Sequence, residues 1–153
     1  MTSQRDIKVR LLEKCFEYVD QRIETARQAM RDAQNSANAE EKSSAGDKYE
    51  TGRAMAQIES EKAAYQLEEA LKLKSILSRI NPIVKNSNAT LGSLVITESI
   101  RFYISIGVGK VTFSGCDYLI VAATSPIGQV LYNLKVADPF SFNKQIHVIN
   151  EIQ

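Results

Sequence analysis

The sequence predicts an α+β protein with a long antiparallel α-helical coiled-coil hairpin first and a small antiparallel β-domain with one short helix second. Two observations carry this prediction. A heptad pattern without Pro or Gly runs from about Gln4 to Asn38, and the composition changes sharply after residue 80. Residues 1–80 hold 14 Lys+Arg and 14 Asp+Glu, whereas residues 81–153 hold 5 and 4.

The first helix is predicted from about Gln4 to Asn38. Its apolar residues recur at alternating steps of three and four, which is typical of a helix packed against another long helix. The seam thins from large to small side chains along the helix, so the far ends of two helices can approach closely. The seam comprises Val9, Leu12, Phe16, Val19, Ile23, Ala26, Met30, Ala33 and Ala37.

A polar break at 43–50 separates this helix from a second one, predicted from about Lys48 to Ile80. Asp47 can cap the second helix, with Glu50 in the position of a capping-box acid. A short polar turn between two helices favours a hairpin, whose tip spans about residues 39–50. The apolar face of the second helix is predicted to comprise Met55, Ile58, Tyr65, Leu73, Ile76, Leu77 and Ile80.

The second half begins where Asn81-Pro82 ends the helix, because proline disfavours helix before it. We predict domains at 1–80 and 91–153, joined by a linker at 81–90. Ser125 and Pro126 are a helix cap and a first-turn residue for a short helix at 127–132. β-Branched and aromatic residues predict strands at 94–97, 101–106, 110–113, 118–122, 139–142 and 145–149.

Composition narrows the function classes. The formal net charge of +1 argues against direct polyanion binding, so nucleic acid is expected only indirectly, through another protein. No apolar run is long enough to span a bilayer, which predicts a cytoplasmic protein without membrane contact. Cys15 and Cys116 are expected to be buried free thiols, and His147, the only histidine, has no partner for zinc or nucleophilic chemistry.

Several short motifs resemble the bacterial Gre family of transcript-cleavage factors. Gly46-Asp47-Lys48-Tyr49-Glu50 keeps that family's Gly-Asp-x-x-Glu spacing, and Gly92-Ser93-Leu94-Val95 is similar to its Gly-Ser-x-Val. The segment 125–131 resembles its Ser-Pro-Leu run, and 132–138 follows at the family's offset. Asn133 and Ala137 replace family glycines, and Thr51-Gly52-Arg53-Ala54 stands where the family has Asn-Ala-Glu-Tyr.

The resemblance implies an FKBP-like fold for the β-domain and an accessory function at RNA polymerase rather than an enzyme. The factor would insert its hairpin into the polymerase secondary channel and stimulate cleavage of backtracked RNA. Asp47 and Glu50 would act as catalytic carboxylates that share Mg²⁺ with the polymerase, while the chain has no cofactor of its own. Ser125, Pro126, Ile127 and Gly128 would contact the polymerase, and a monomer is expected.

Two alternatives stay open at this stage. A secondary-channel regulator without cleavage activity would keep the docking and lose the chemistry. A structural coiled-coil adaptor would use the hairpin only for spacing or self-association, which heptad periodicity also fits.

Overall fold

We describe the protein from a computed structural model. The structure describes residues 4–41 and 46–153, with side chains described from residue 6 to 39 and from residue 50 onward. Two long helices, α1 (Gln4–Glu41) and α2 (Gly46–Leu77), precede a β-domain with one short helix, so the predicted α+β class is confirmed. The chain divides into two compact units. The sheet unit comprises Met1–Phe16 and Ser75–Gln153, and the helical unit comprises Glu17–Lys74.

The β-domain has seven strands and one short helix; six strands and the helix lie close to their predicted positions, and the last strand was not predicted. These elements are β1 (Leu94–Ile96), β2 (Arg101–Ser105), β3 (Gly109–Phe113), β4 (Cys116–Ala122), α3 (Pro126–Leu131), β5 (Pro139–Phe142), β6 (Gln145–Val148) and β7 (Glu151–Ile152). Five strands form one sheet in the order β3-β4-β2-β1-β7, and β5 pairs with β6 separately. The five-stranded sheet is mixed rather than purely antiparallel, because β2 and β4 run parallel with Phe102 opposite Leu119.

The core of the sheet unit is built from large side chains. Phe102 is fully buried on β2 and meets two rings of β5 edge to face, Phe140 at 5.9 Å and Phe142 at 5.4 Å between centroids. Leu131 of α3 packs into the same cluster. Edge-to-face pairs add to the stability that simple burial of these rings supplies.

Residues 88–90, within the predicted linker, bond directly to the β-domain. Ala89 is fully buried, its N–H donates to Leu134 at 2.8 Å, and its carbonyl accepts from Asn133 at 2.7 Å. The Asn88 side chain donates to Asn133 Oδ1 at 2.9 Å. The domain boundaries themselves stay predictions.

In the helical unit, α1 and α2 run antiparallel. Lys74, near the end of α2, pairs with Asp20 of α1 at 2.8 Å, whereas Ala33 of α1 lines a groove with Ala56 of α2. Every residue of the predicted α1 seam is buried or half-buried, which confirms that seam. No described helix has a stretch of the length and apolarity that a bilayer requires.

The predicted apolar face of α2 is wrong at three positions. Met55, Ile58 and Tyr65 are 62%, 62% and 64% exposed. The buried positions are instead Ala56, Ala63, Ala70 and Leu77, spaced by seven residues. Small side chains can fill the inner face of a close helix pair where large ones would force the helices apart. The exposed residues and the buried alanines follow the same heptad period, so the period could not distinguish them. The prediction therefore chose the larger apolar residues.

Candidate functional site

The tip acids lie in the first turn of α2. Helix α2 begins at Gly46, one residue before Asp47, and Glu50 follows three positions later on the same helical face. Glu50 is exposed, whereas the side chain of Asp47 lies outside the described residues, as do those of Glu40 and Glu41. The positive end of the helix dipole lies here, and it favours carboxylates in the first turn.

Carboxylate oxygens are the ligands that Mg²⁺ prefers, and an exposed Glu50 is free to offer them to an ion. Mg²⁺ needs about six ligands in an octahedron, so two acids can complete a site only with oxygens from elsewhere. Among the residues whose side chains are described, no group of three His, Cys, Asp or Glu is placed to hold a metal. Two acids alone cannot fill that coordination shell, and the sharing of an ion with the polymerase stays a prediction.

Ser125 organises the second predicted site, at the start of α3. Its hydroxyl donates to the Ala122 carbonyl at 2.6 Å and accepts from the Gly128 N–H at 3.1 Å. Pro126 then occupies the first helical turn, where its missing N–H costs nothing. The predicted cap and first-turn proline are both confirmed.

Gly128 brings α3 against β4 at very short range. A Cβ built on Gly128 would lie 2.1 Å from the carbonyl oxygen of Ala122 and 2.7 Å from that of Ala123. Ile127 is half-buried against the core, and Pro126 is exposed. Packing and hydrogen bonding within the β-domain therefore explain why Ser125, Ile127 and Gly128 occupy these positions. Their contact with polymerase stays a prediction.

The turn after α3 has unusual backbone geometry at two non-glycine residues. Asn133 has φ of +66° and Ala137 has φ of +76°, in the left-handed region that glycine adopts most readily. Hydrogen bonds fix both: the Asn133 N–H donates to Ala89 and the Ala137 N–H donates to Ile149. These are the two positions at which the Gre resemblance places glycine.

Sequence reasoning missed a buried lysine in the sheet unit. Lys8 is only 2% exposed, and its Nζ donates to the Val84 carbonyl oxygen at 2.7 Å. Burial lowers the pKa of Lys8 below the ordinary lysine value. The signal was present, because Lys8 lies on the same helical face as Leu12 and Cys15.

A second group at the base of α1 is polar and fully buried. Cys15 Sγ lies 3.2 Å from Ser105 Oγ, and the hydroxyl of Tyr103 has no hydrogen-bond partner among the described residues. Burial raises the pKa of the Cys15 thiol, while the Ser105 contact lowers it by less. Burial, with a smaller contribution from Cys15, also raises the pKa of Tyr103. These shifts favour uncharged groups and therefore a structural role.

The remaining residues singled out in the sequence are the two cysteines and His147. Both cysteines are free thiols, Cys15 buried and Cys116 half-buried. His147 is half-buried on β6 and stacks on Phe140 with 5.5 Å between ring centroids. It is a sheet residue, as predicted.

Comparisons with known proteins add little. No family model matches the sequence, and no curated protein matches it. Among solved structures, the chain is similar to one described as "Structure of the transcription factor Gfh1", with 20% identity. The alignment covers 90% of this chain and 92% of that chain, with a TM-score of 0.35. A TM-score of that size does not establish a shared fold.

Proposed function

We propose that this chain is a Gre-like transcription factor that binds RNA polymerase and stimulates cleavage of backtracked RNA. In this proposal the β-domain docks on the polymerase and the helical hairpin enters the secondary channel. The chain is an accessory factor in the cytoplasm, without a cofactor of its own, and it reaches nucleic acid only through the polymerase.

The observation that carries the proposal is the backbone geometry at Asn133 and Ala137. Both residues adopt positive φ at the positions where the resemblance places glycines. If the motifs were similar only by chance, there would be no reason for positive φ to occur at both positions where the resemblance places glycine. The agreement supports the alignment of 125–138 with the family, and hence the family's function.

The hairpin supplies the second line of support. Asp47 and Glu50 lie in the first turn of α2, which begins at Gly46. There they would offer oxygen ligands to a Mg²⁺ ion whose other ligands come from the polymerase. Such an ion supplies a water nucleophile and stabilises charge in a two-metal displacement. In this proposal the chain's own contribution is to position two carboxylates at the end of a long helix pair.

The test measures transcript shortening in purified polymerase complexes that have been stalled and backtracked. Asp47→Asn with Glu50→Gln removes two charges while keeping the shape of both side chains. We expect the rate of shortening to fall by about tenfold or more, because the neutral groups bind Mg²⁺ poorly. Glu59→Gln is the matched control, an exposed acid further along the same helix, and should leave the rate unchanged.

Each outcome decides one part of the proposal. Shortening that survives the double substitution removes the role of the tip acids. Failure of the unsubstituted chain to bind polymerase removes the whole proposal. Binding without any shortening selects the second candidate.

That second candidate is a secondary-channel regulator without cleavage activity, and one observation favours it. Arg53 stands three residues after Glu50, where the family motif has Glu. A cation in place of an acid makes the local potential less favourable for Mg²⁺. Arg53→Glu should then raise the cleavage rate if charge at this position limits it.

A further inference from the structure

The ammonium group of Lys8 is a buried positive charge that no acid in the described part of the chain neutralises. Lys8 shares the buried face of α1 with Leu11 and Cys15, so its side chain enters the sheet unit as theirs do. It is 2% exposed and forms no ion pair with any residue that the structure describes. Buried charges in proteins are normally paired, because removing an ion from water is costly.

The chain offers this ammonium a carbonyl oxygen rather than a carboxylate. Lys8 Nζ donates to the Val84 carbonyl at 2.7 Å. A turn shapes that position: the Ile83 N–H donates to Asn81 Oδ1 at 3.2 Å, and the Val84 N–H donates to the Asn81 carbonyl at 3.4 Å. An ammonium has three donors, and a carbonyl carries only a partial negative charge. The bond to Val84 therefore leaves most of the charge on Lys8 uncompensated by described residues.

A small pocket adjoins Lys8, and the two ionisable side chains that line it are both lysines. Its volume is about 30 Å³, and Lys85 is exposed at its edge. About 10–15 Å³ is enough for one water molecule, so the pocket has room for an ion of similar size. A tetrahedral oxyanion such as sulfate is larger and fits less well. The lining residues all belong to the sheet unit and are Lys8, Pro82, Ile83, Val84, Lys85 and Gln153.

We propose that this pocket binds a small monovalent anion, of the size of chloride, between Lys8 and Lys85. The anion would accept a hydrogen bond from Lys8 Nζ, and hydrogen bonds between charged groups are stronger than neutral ones. Burial lowers the pKa of Lys8 and so disfavours its charged form, whereas a bound anion favours that form. The anion would thereby stabilise the contact between α1 and the segment 82–85. The inference does not depend on the proposed function.

Line broadening in the chloride NMR spectrum measures this binding on the full chain. Lys8→Met keeps the unbranched apolar stem and removes the ammonium, so it should abolish the broadening that the pocket causes. Lys135→Met removes an exposed lysine of the same unit and is the matched control, which should keep that broadening. Lys85→Met should reduce it by about twofold or more, because one of two attracting charges is lost.

Competition between anions tests the size of the site. Bromide is close to chloride in size and should displace it, removing the excess broadening. Sulfate at the same concentration should displace much less, although its double charge binds more strongly to an open positive surface. This order of anions distinguishes a pocket from general screening of surface charge.

Urea denaturation at pH 7 provides an independent measurement, with sodium gluconate replaced by sodium chloride at constant ionic strength. A ligand that binds only the folded chain raises the folding constant, and we expect about a fivefold rise at about 0.3 M chloride. Lys135→Met should show the same rise, and Lys8→Met should show none. If Lys8→Met does not fold, Lys85→Met takes its place in both experiments, since Lys85 is exposed and its replacement should not prevent folding.

Three results would overturn the proposal. The first is chloride broadening in the unsubstituted chain that equals the broadening in Lys8→Met or, where that variant does not fold, in Lys85→Met. The second is displacement of chloride by sulfate as readily as by bromide. The third is a stability that responds to chloride equally with and without the pocket lysines, since the response would then arise elsewhere on the protein.

Discussion

The interior of the sheet unit and the interior of the helical unit are filled by different kinds of residue. In the sheet unit, large side chains such as Phe102 and Tyr103 are fully buried. Their positions do not repeat along the sequence. In the helical unit, the buried face of α2 repeats one small residue, alanine, every seven positions. The surface of that unit carries exposed ion pairs such as Asp20 with Lys74.

This difference indicates where a substitution should change the stability most. A unit assembled from unique contacts depends on particular atoms, so replacing one residue can remove much of its stability. A unit assembled from repeats spreads its stability over many weak contacts, and exposed ion pairs add little. Helical repeats should therefore tolerate most changes, with the inner seam as the exception.

The largest effect is expected for Gly128→Ala in the sheet unit. The new methyl group would lie 2.1 Å from the backbone oxygen of Ala122, so α3 must move away from β4. We expect the free energy of unfolding to fall by about 3 kcal/mol or more, at the upper end of overpacking costs. Urea denaturation monitored by circular dichroism measures this change.

Gly115→Ala is the matched control for that prediction. Gly115 has φ of +75° and nothing within 4 Å of a built Cβ, so only backbone strain is added. That strain costs about 1–2 kcal/mol. Equal losses for the two variants would show that the close approach of α3 is unimportant.

A smaller loss is expected for Ala63→Leu on the inner face of α2. Ala63 is 1% exposed, so the longer side chain must push the two helices apart. Overpacking of this kind costs about 1–3 kcal/mol. Ala64→Leu, at an exposed neighbour in the same helix, should change stability little because both residues favour helix. A loss at Ala64 as large as at Ala63 would refute the assignment of the inner seam.

Ala137→Gly should increase stability in the sheet unit. Ala137 has φ of +76°, a conformation that costs an alanine about 1 kcal/mol and a glycine almost nothing. Removing this cost should raise the free energy of unfolding by about 1 kcal/mol. The greater entropy of glycine in the unfolded chain offsets part of that gain. Asn133→Gly should gain less, because asparagine tolerates this region and its Oδ1 accepts from Asn88. A loss of stability at Ala137 would mean that its methyl group makes a favourable contact.

Much of this architecture could be predicted from the sequence because local signals agreed with tertiary packing. Strand β5 matches its predicted span, and Ser125 with Pro126 marked the start of α3 through short-range hydrogen bonding. The α1 seam was equally clear, since one stripe in that helix is much more apolar than the rest.

The remaining features depend on information that local patterns lack. Two stripes of α2 share one period, and only the fit between helices selects Ala63 over Tyr65 for the inside. The parallel pairing of β2 with β4 is a long-range choice of topology. Lys8 was missed because a cation is expected outside unless a carbonyl such as that of Val84 receives it. Asp47 and Glu50 fall in the first turn of α2, while their chemistry stays a prediction.

Tyr103→Phe should stabilise the sheet unit by about 1 kcal/mol near neutral pH. The Tyr103 hydroxyl is buried without a partner among the described residues, and leaving such a group unsatisfied is costly. Burial raises its pKa above the ordinary value of 10.0, so the folded chain keeps a proton that the unfolded chain loses. Stability of the unsubstituted chain must therefore fall as pH rises above about 10, and this part of the fall disappears in Tyr103→Phe. Urea denaturation at pH 7 and pH 10.5 measures both effects. A benefit that does not grow with pH would show that the hydroxyl is solvated in the folded chain.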